Sequence, residues 1–310
     1  MLKDKKILIT GLTGLIGGGI TDQIAAYNEI WGLARYTNPG SRERLDALGV
    51  KTVKGDFSKG EFAGLPDEPF DIVVHLAAAT HPGVAEVGMV QNPEGTALLM
   101  YRLRNCKSFI YVSNSSLLLD NPDPLHLYKE TDHVGGSSPH SLNYGPTKLA
   151  AEGVVRSLAR LFNIPSTIAR MNVAYGGIYD DGGLPGKHLE KLIAGQPIRL
   201  PANKPHMMSP IHEDDIVEHL EPLARAASAP ATVVNWGGAE ALSTEVWVRY
   251  LADLIGVEPV FEFSDTAMQP NRPLDTTRGR ELGLTWKVDW KDGMRRMVER
   301  RHPELKLKPA

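Results

Sequence analysis

Tyr144 and Lys148 stand four residues apart in the run Tyr144-Gly145-Pro146-Thr147-Lys148-Leu149-Ala150-Ala151-Glu152. On a helix that spacing projects both side chains from one face. A phenol with an unperturbed pKa near ~10 is a poor acid–base group at neutral pH. An ammonium beside it favours the phenolate and lowers that pKa. Such a pair can exchange a proton with an alcohol or carbonyl oxygen. A second stretch with chemical potential is Thr10-Gly11-Leu12-Thr13-Gly14-Leu15-Ile16-Gly17. Glycines between a strand and a helix let backbone N–H groups and the helix dipole close on a pyrophosphate. Gly11, Thr13, Gly14, Leu15, Ile16 and Gly17 are its candidate residues. Each stretch is weak alone. Tyr and Lys can share an exposed helix by chance, and Gly18-Gly19, which follow at once, fit a merely flexible turn.

The elements around these stretches support the chemical reading. Ile7–Thr10, Ile30–Ala34, Thr52–Gly55, Ile72–Leu76 and Phe109–Val112 are short apolar runs without strict alternation. Such runs suit strands buried on both faces of a parallel sheet. Ile16 to Asn28 and Pro93 to Asn105 are long enough for crossover helices. A helix is expected from Tyr144 to Phe162, and a strand from Ile164 to Ala169. Repeated βαβ units predict an α/β, Rossmann-type doubly wound parallel sheet. Residues 1–175 form the expected dinucleotide-binding domain. Residues 176–310, richer in Gly and Pro, form a smaller C-terminal substrate-binding lobe interleaved with the sheet, with amphipathic helices at Thr244–Leu254 and Asp292–Arg300. The glycine stretch follows the first strand directly, which is the context a phosphate cradle requires.

The second strand bears on the cofactor. NAD readers place an acid at its end for the ribose hydroxyls. Here Ala34 is followed by Arg35, whose guanidinium suits a 2′-phosphate, so NADP is expected over NAD. Asp56, after the third strand, could accept from an adenine amino group or simply close a turn.

Composition narrows the classes further. The 310 residues are 42% hydrophobic and 23% charged, as in a globular protein. Lys+Arg 34 against Asp+Glu 37 leaves a net charge of −3, with no basic excess for nucleic acid. One cysteine, Cys106, excludes an intrachain disulfide and a cysteine-built metal site. The ten histidines are scattered without metal-ligand spacing, so no metal is expected. No Gly-x-Ser-x-Gly elbow suggests a hydrolase. No apolar run approaches the ~18 residues of a membrane span. The basic N-terminus leads into a strand and not into a signal peptide, so a cytoplasmic enzyme is expected.

Taken together, these motifs resemble the extended short-chain dehydrogenase/reductase superfamily, the NAD-dependent epimerase/dehydratase type. The resemblance spans nearly the whole chain. It is carried by Thr10–Gly17, Gly55-Asp56-Phe57, His75-Leu76-Ala77-Ala78, Asn92-Pro93 and Tyr144–Glu152. It continues through Arg170 with Val173–Gly176, Ile211–Ile216, and Asp275–Arg278 with Leu282-Gly283. It implies Tyr144 as general acid/base, with Lys148 binding the nicotinamide ribose and lowering the phenol pKa. Leu76, Ala77 and Ala78 would lie beneath the nicotinamide, and Asp56 and Phe57 would hold adenine. The family's substrate-binding hydroxyl falls on Asn114, a departure. Ser115 or Ser113 could supply the hydroxyl, or the Asn114 amide could donate instead; Ser115 is favoured.

Two further departures concern the substrate. Sugar-nucleotide members carry an Asn three residues after the arginine of the sixth strand, where this chain has Val173. They often carry a diphosphate-clamping arginine where this chain has Met208, although Arg272 could be a remaining clamp. With Arg35, these departures favour an NAD(P)-dependent carbonyl reductase acting on a small molecule. The alternative is a nucleotide-sugar epimerase or dehydratase with tightly bound NAD. A different class, a non-catalytic dinucleotide-binding regulator, would be expected to lack the Tyr–Lys pair. Relatives often dimerise through the Tyr–Lys helix, so a homodimer is expected.

Overall fold

In the computed structural model, residues 2–81, 83–138, 141–264 and 270–309 are described. Seven parallel strands form the main sheet: β1 (Lys6–Thr10), β2 (Glu29–Ala34), β3 (Lys51–Lys54), β4 (Ile72–His75), β5 (Phe109–Asn114), β6 (Ser166–Met171) and β7 (Thr232–Trp236). Their order is β7-β6-β5-β4-β1-β2-β3, so β1 is flanked by β2 and β4. The chain reverses its direction of winding there. Crevices for ligands open at the carboxyl ends of strands at such a switch point.

Alternation along each strand divides the core. Ile7, Ile9, Ile110 and Val112 face one side. There they meet Ile20 and Ile24 of α1 (Leu15–Ile24), and Ile216, Val217 and Leu220 of a later helix, Glu213–Arg225. Leu8, Phe109, Tyr111 and Ile168 face the other side. They meet Leu99 and Met100 of α2 (Gly95–Arg102), and Ala151, Val155 and Ala159 of α3 (Tyr144–Phe162). A further apolar cluster joins three later helices, Gly183–Ile193, Thr244–Ile255 and Trp290–Arg301, through Leu189, Trp247, Leu251, Met294 and Met297. Ser243 and Asp289 cap the last two by accepting from Val246 N and Lys291 N.

Several boundaries differ from the expected ones. The first crossover is α1 followed by a 3-10 turn, Ala25–Tyr27. The second is interrupted at Val90–Glu94 by a π turn containing Pro93, whose missing N–H breaks the regular ladder. The strand expected at Ile164–Ala169 runs instead from Ser166 to Met171, because a buried partner lets Arg170 remain within the sheet. Among the described residues, no helix is long and apolar enough to cross a membrane.

Candidate active site

β1 delivers its last residue, Thr10, to the crevice, and the chain turns at Gly11 with φ +76°. A Cβ at Gly11 would lie 2.8 Å from Ala77 N, and one at Gly17 would collide with Gly11 O. The glycines at these two positions therefore permit close backbone approach and a left-handed turn. Gly14 opens α1 without a side-chain cap, and the first turn contains no acidic residue. The N–H groups of that turn are suited to an external anion. One already meets a carboxylate: Leu15 N donates to Asp180 Oδ2 at 2.9 Å across 165 residues. Asp180 has φ +49°, and beside it the Tyr179 ring packs on Gly18 under the Arg44 guanidinium. An N–H group that holds a carboxylate oxygen can equally hold a phosphate oxygen, so the cradle fits a phosphate chemically. The sequence offered no signal for Asp180.

A cleft of about 340 Å³ runs along the carboxyl ends of β1 to β4. Of the expected cofactor residues it gathers Gly11, Thr13, Gly14, Arg35, Asp56, Phe57, Leu76, Ala77 and Ala78. Arg35 is exposed at its rim. Asp56 caps the turn after β3, its Oδ1 accepting from Ser58 N at 3.0 Å. Leu15, Ile16, Gly17, Ser113, Tyr144 and Lys148 are not among the residues lining this cleft.

Tyr144 is the first residue of α3, and Pro146 sits in its first turn, where a missing N–H costs nothing. Tyr144 is partly buried and Lys148 is 1% exposed. Lys148 Nζ donates to Val112 O at 2.6 Å and lies 4.1 Å over the Tyr111 ring. The expected depression of the phenol by the lysine is corrected here. Burial pushes the Tyr144 phenol up to about 12. Burial also pushes the Lys148 ammonium down to about 7, with the Glu152 carboxylate opposing the fall. The ammonium bonds the end of β5, and burial sets the direction of the phenol's shift.

The three candidates after β5 divide by their partners. Ser113 Oγ donates to Glu152 Oε1 at 2.6 Å. Glu152 in turn pairs with Arg170, Oε2 to Nη2 at 2.8 Å, with both side chains buried. Ser113 is thus tied to a buried ion pair. Ser115 Oγ accepts from Asn172 Nδ2 at 2.9 Å. Asn114 Oδ1 accepts from Ser116 N at 2.7 Å, leaving its NH2 as the side chain's donors. Asn114 is the only one of the three that is not fully buried. Arg272 is buried, donating to Leu118 O at 3.0 Å and to Asp120 Oδ1 at 2.5 Å. Met208 is buried in a short antiparallel pairing with Leu242.

A hydrogen-bonded chain missed by sequence reasoning braces the cleft floor. Thr96 Oγ1 donates to Asn92 O at 2.5 Å, so it accepts from His75 Nε2 at 3.0 Å. His75 Nδ1 then accepts from Thr10 Oγ1 at 2.7 Å, and Thr10 Oγ1 accepts from Ala77 N at 3.2 Å. Burial, reinforced by Lys148, pushes His75 down to about 3 and keeps it neutral for this relay. Asn92 also accepts from Ala79 N at 2.8 Å and donates to Thr147 Oγ1 at 2.9 Å. The loop after β4 and the Tyr–Lys helix are thereby fixed to one another. Among the described residues, no group of three or more His, Cys, Asp or Glu could hold a metal; His140 lies outside the described residues.

Known proteins are similar to this chain in sequence and in fold. A profile described as the NAD dependent epimerase/dehydratase family matches residues 7–237. The chain is 31% identical over 205 residues to a dTDP-glucose 4,6-dehydratase of Mycolicibacterium smegmatis, covering 62% of this chain and 57% of that protein. It therefore spans little more than half of that relative's length. Its fold is similar to a UDP-N-acetylglucosamine 4-epimerase from Methanobrevibacter ruminantium M1 in complex with UDP-N-acetylmuramic acid, at TM-score 0.82 and 16% identity, covering 98% and 100% of the two chains. It is also similar to DesIV, a dTDP-glucose 4,6-dehydratase from Streptomyces venezuelae with NAD and TYD bound, at TM-score 0.80 and 21% identity, covering 96% and 97%. At these identities the likeness is one of fold.

Proposed function

The chain belongs to the NAD dependent epimerase/dehydratase family, and on that premise we propose that it is a nucleotide-sugar dehydratase or epimerase that regenerates its own coenzyme. The observation that carries this reading is the reach of the family match. Residues 7–237 include the glycine cradle, the Tyr–Lys helix and the segment after Ile211 in one continuous stretch. The carbonyl reductase expected from Arg35, Val173 and Met208 has less support, because the similar sequence named above is a dehydratase.

In this reading the α1 N-terminus holds the pyrophosphate of the dinucleotide, and Lys148 holds its ribose. The dinucleotide, when bound, accepts and returns a hydride. Tyr144 carries the proton of the sugar hydroxyl, and Ser115 or the Asn114 amide orients its oxygen. Residues 176–310, apart from β7 and the segments packed on the main sheet, Glu213–Arg225 and Leu282–Trp286, form the substrate lobe, with Arg272 buried within it. α2 and α3 carry exposed Tyr101 and Leu161, apolar surface for a homodimer.

NAD is the proposed coenzyme, since the DesIV neighbour carries NAD; Arg35 is the residue that favours NADP. A coenzyme restored to its starting redox state at each turnover has no need to dissociate. Protein purified without added coenzyme should therefore release NAD on denaturation, in near-stoichiometric amount by mass spectrometry. Protein that is empty and prefers NADPH would overturn the reading in favour of a reductase.

A further inference from the structure

Lys148 has given up water on every side, and what replaces it is unusual. One donor goes to Val112 O at 2.6 Å. Beyond that, the ammonium rests on an aromatic face, 4.1 Å from the centroid of the Tyr111 ring. Tyr111 and Lys148 are each 1% exposed. A buried tyrosine normally spends its hydroxyl on a hydrogen bond. Tyr111 Oη is buried and has no hydrogen-bond partner in the structure. The hydroxyl therefore does not explain the residue, whereas the ring face does.

Of the charged groups around the ammonium, Glu152 opposes the effect of burial. Glu152, one turn along α3, is engaged by Arg170 of β6 through both Nε and Nη2, and by Ser113 of β5. His75 of β4 is neutral and bonded at both ring nitrogens. Tyr144, on the same helix, is a protonated phenol at neutral pH. The π face of Tyr111 is the electron-rich surface lying directly against the ammonium, and cation–π attraction is strongest where the cation is desolvated.

We propose that Tyr111 is a positioning residue whose ring holds the Lys148 ammonium in its charged form and aims it along the carboxyl end of β5. The inference rests on the proposed role of Lys148 toward the dinucleotide ribose, and it adds the residue that sustains that role.

The test is an NMR titration of the full-length protein labelled with 13C at lysine Cε, with the Lys148 resonance identified by its loss in Lys148→Met. Wild type should titrate near 7. Removing an attraction specific to the charged form lowers a lysine pKa, so Tyr111→Leu should move the midpoint down by about one unit or more. Tyr111→Phe keeps the ring and should leave it unchanged. Should the leucine variant not fold, phenylalanines with one, two and three ring fluorines at position 111 drain the face at nearly constant volume. The midpoint should then fall stepwise with each fluorine. A midpoint indifferent to leucine or to fluorination would overturn the proposal, as would a fall in Tyr111→Phe as large as in Tyr111→Leu. Calorimetric NAD binding on the same samples separates the two ideas. A shifted lysine in protein that binds no NAD would contradict the functional reading and leave the Tyr111 platform standing.

Discussion

Tyr144→Phe is expected to reduce turnover by about 10²–10⁴-fold, the range for loss of a positioned acid–base group. Dinucleotide affinity should stay close to wild type. Phenylalanine preserves the ring at the start of α3 and removes only the exchangeable proton. Burial pushes the phenol up to about 12, so at neutral pH it is in its acid form. Donating a proton requires no further tuning, whereas accepting one requires positive charge close to the oxygen. The oxidative half of a cycle should therefore suffer most when Lys148 is neutral, on the alkaline side of about 7. Steady-state rates beside calorimetric binding check the prediction. A variant that loses affinity as steeply as turnover would make Tyr144 a binding group and nothing more.

Arg170→Met should destabilise the fold by about 3–5 kcal/mol, the cost of leaving a buried charge without its partner. Arg170 Nε and Nη2 bond the Glu152 carboxylate at 3.0 and 2.8 Å, and Nη1 donates to Glu130 O at 3.0 Å. With the guanidinium gone, Glu152 keeps only the Ser113 hydroxyl. The double variant Arg170→Met with Glu152→Leu removes both charges and should recover much of the loss, because a buried pair replaced by apolar groups is often near neutral. Urea midpoints of the three proteins measure this. A single variant no less stable than the double would show that the pair carries no such penalty. The pair joins β5, β6 and α3, so the single variant should also loosen the seat of Lys148.

Much of the site was legible because its signals are local. The glycine turn, the strands around it and the four-residue spacing of Tyr144 and Lys148 each depend on neighbours in sequence. The parts that were not legible depend on partners far away in the chain. Arg170 looked like the end of a strand until Glu152, 18 residues earlier, neutralised it within the sheet. β7, with Asn235 inside an otherwise apolar run, is recognisable only once Tyr128 O accepts from its amide at 2.7 Å. Asp180 reaches the cradle from 165 residues away. The upward shift of the Tyr144 phenol comes from burial, which the four-residue spacing does not report, and that Tyr111 lies under the ammonium follows from how β5 packs beneath α3.

The central claim is that the coenzyme is reduced by the sugar and reoxidised within one catalytic cycle. It is tested most directly by incubating the wild-type protein with a nucleoside-diphosphate glucose and NAD at a small fraction of the sugar concentration. NMR would follow the sugar while absorbance follows the nicotinamide. The account predicts many sugar molecules converted per NAD, with no accumulation of NADH. Conversion that stops when the added coenzyme is consumed, one nicotinamide changed for each sugar, would contradict it.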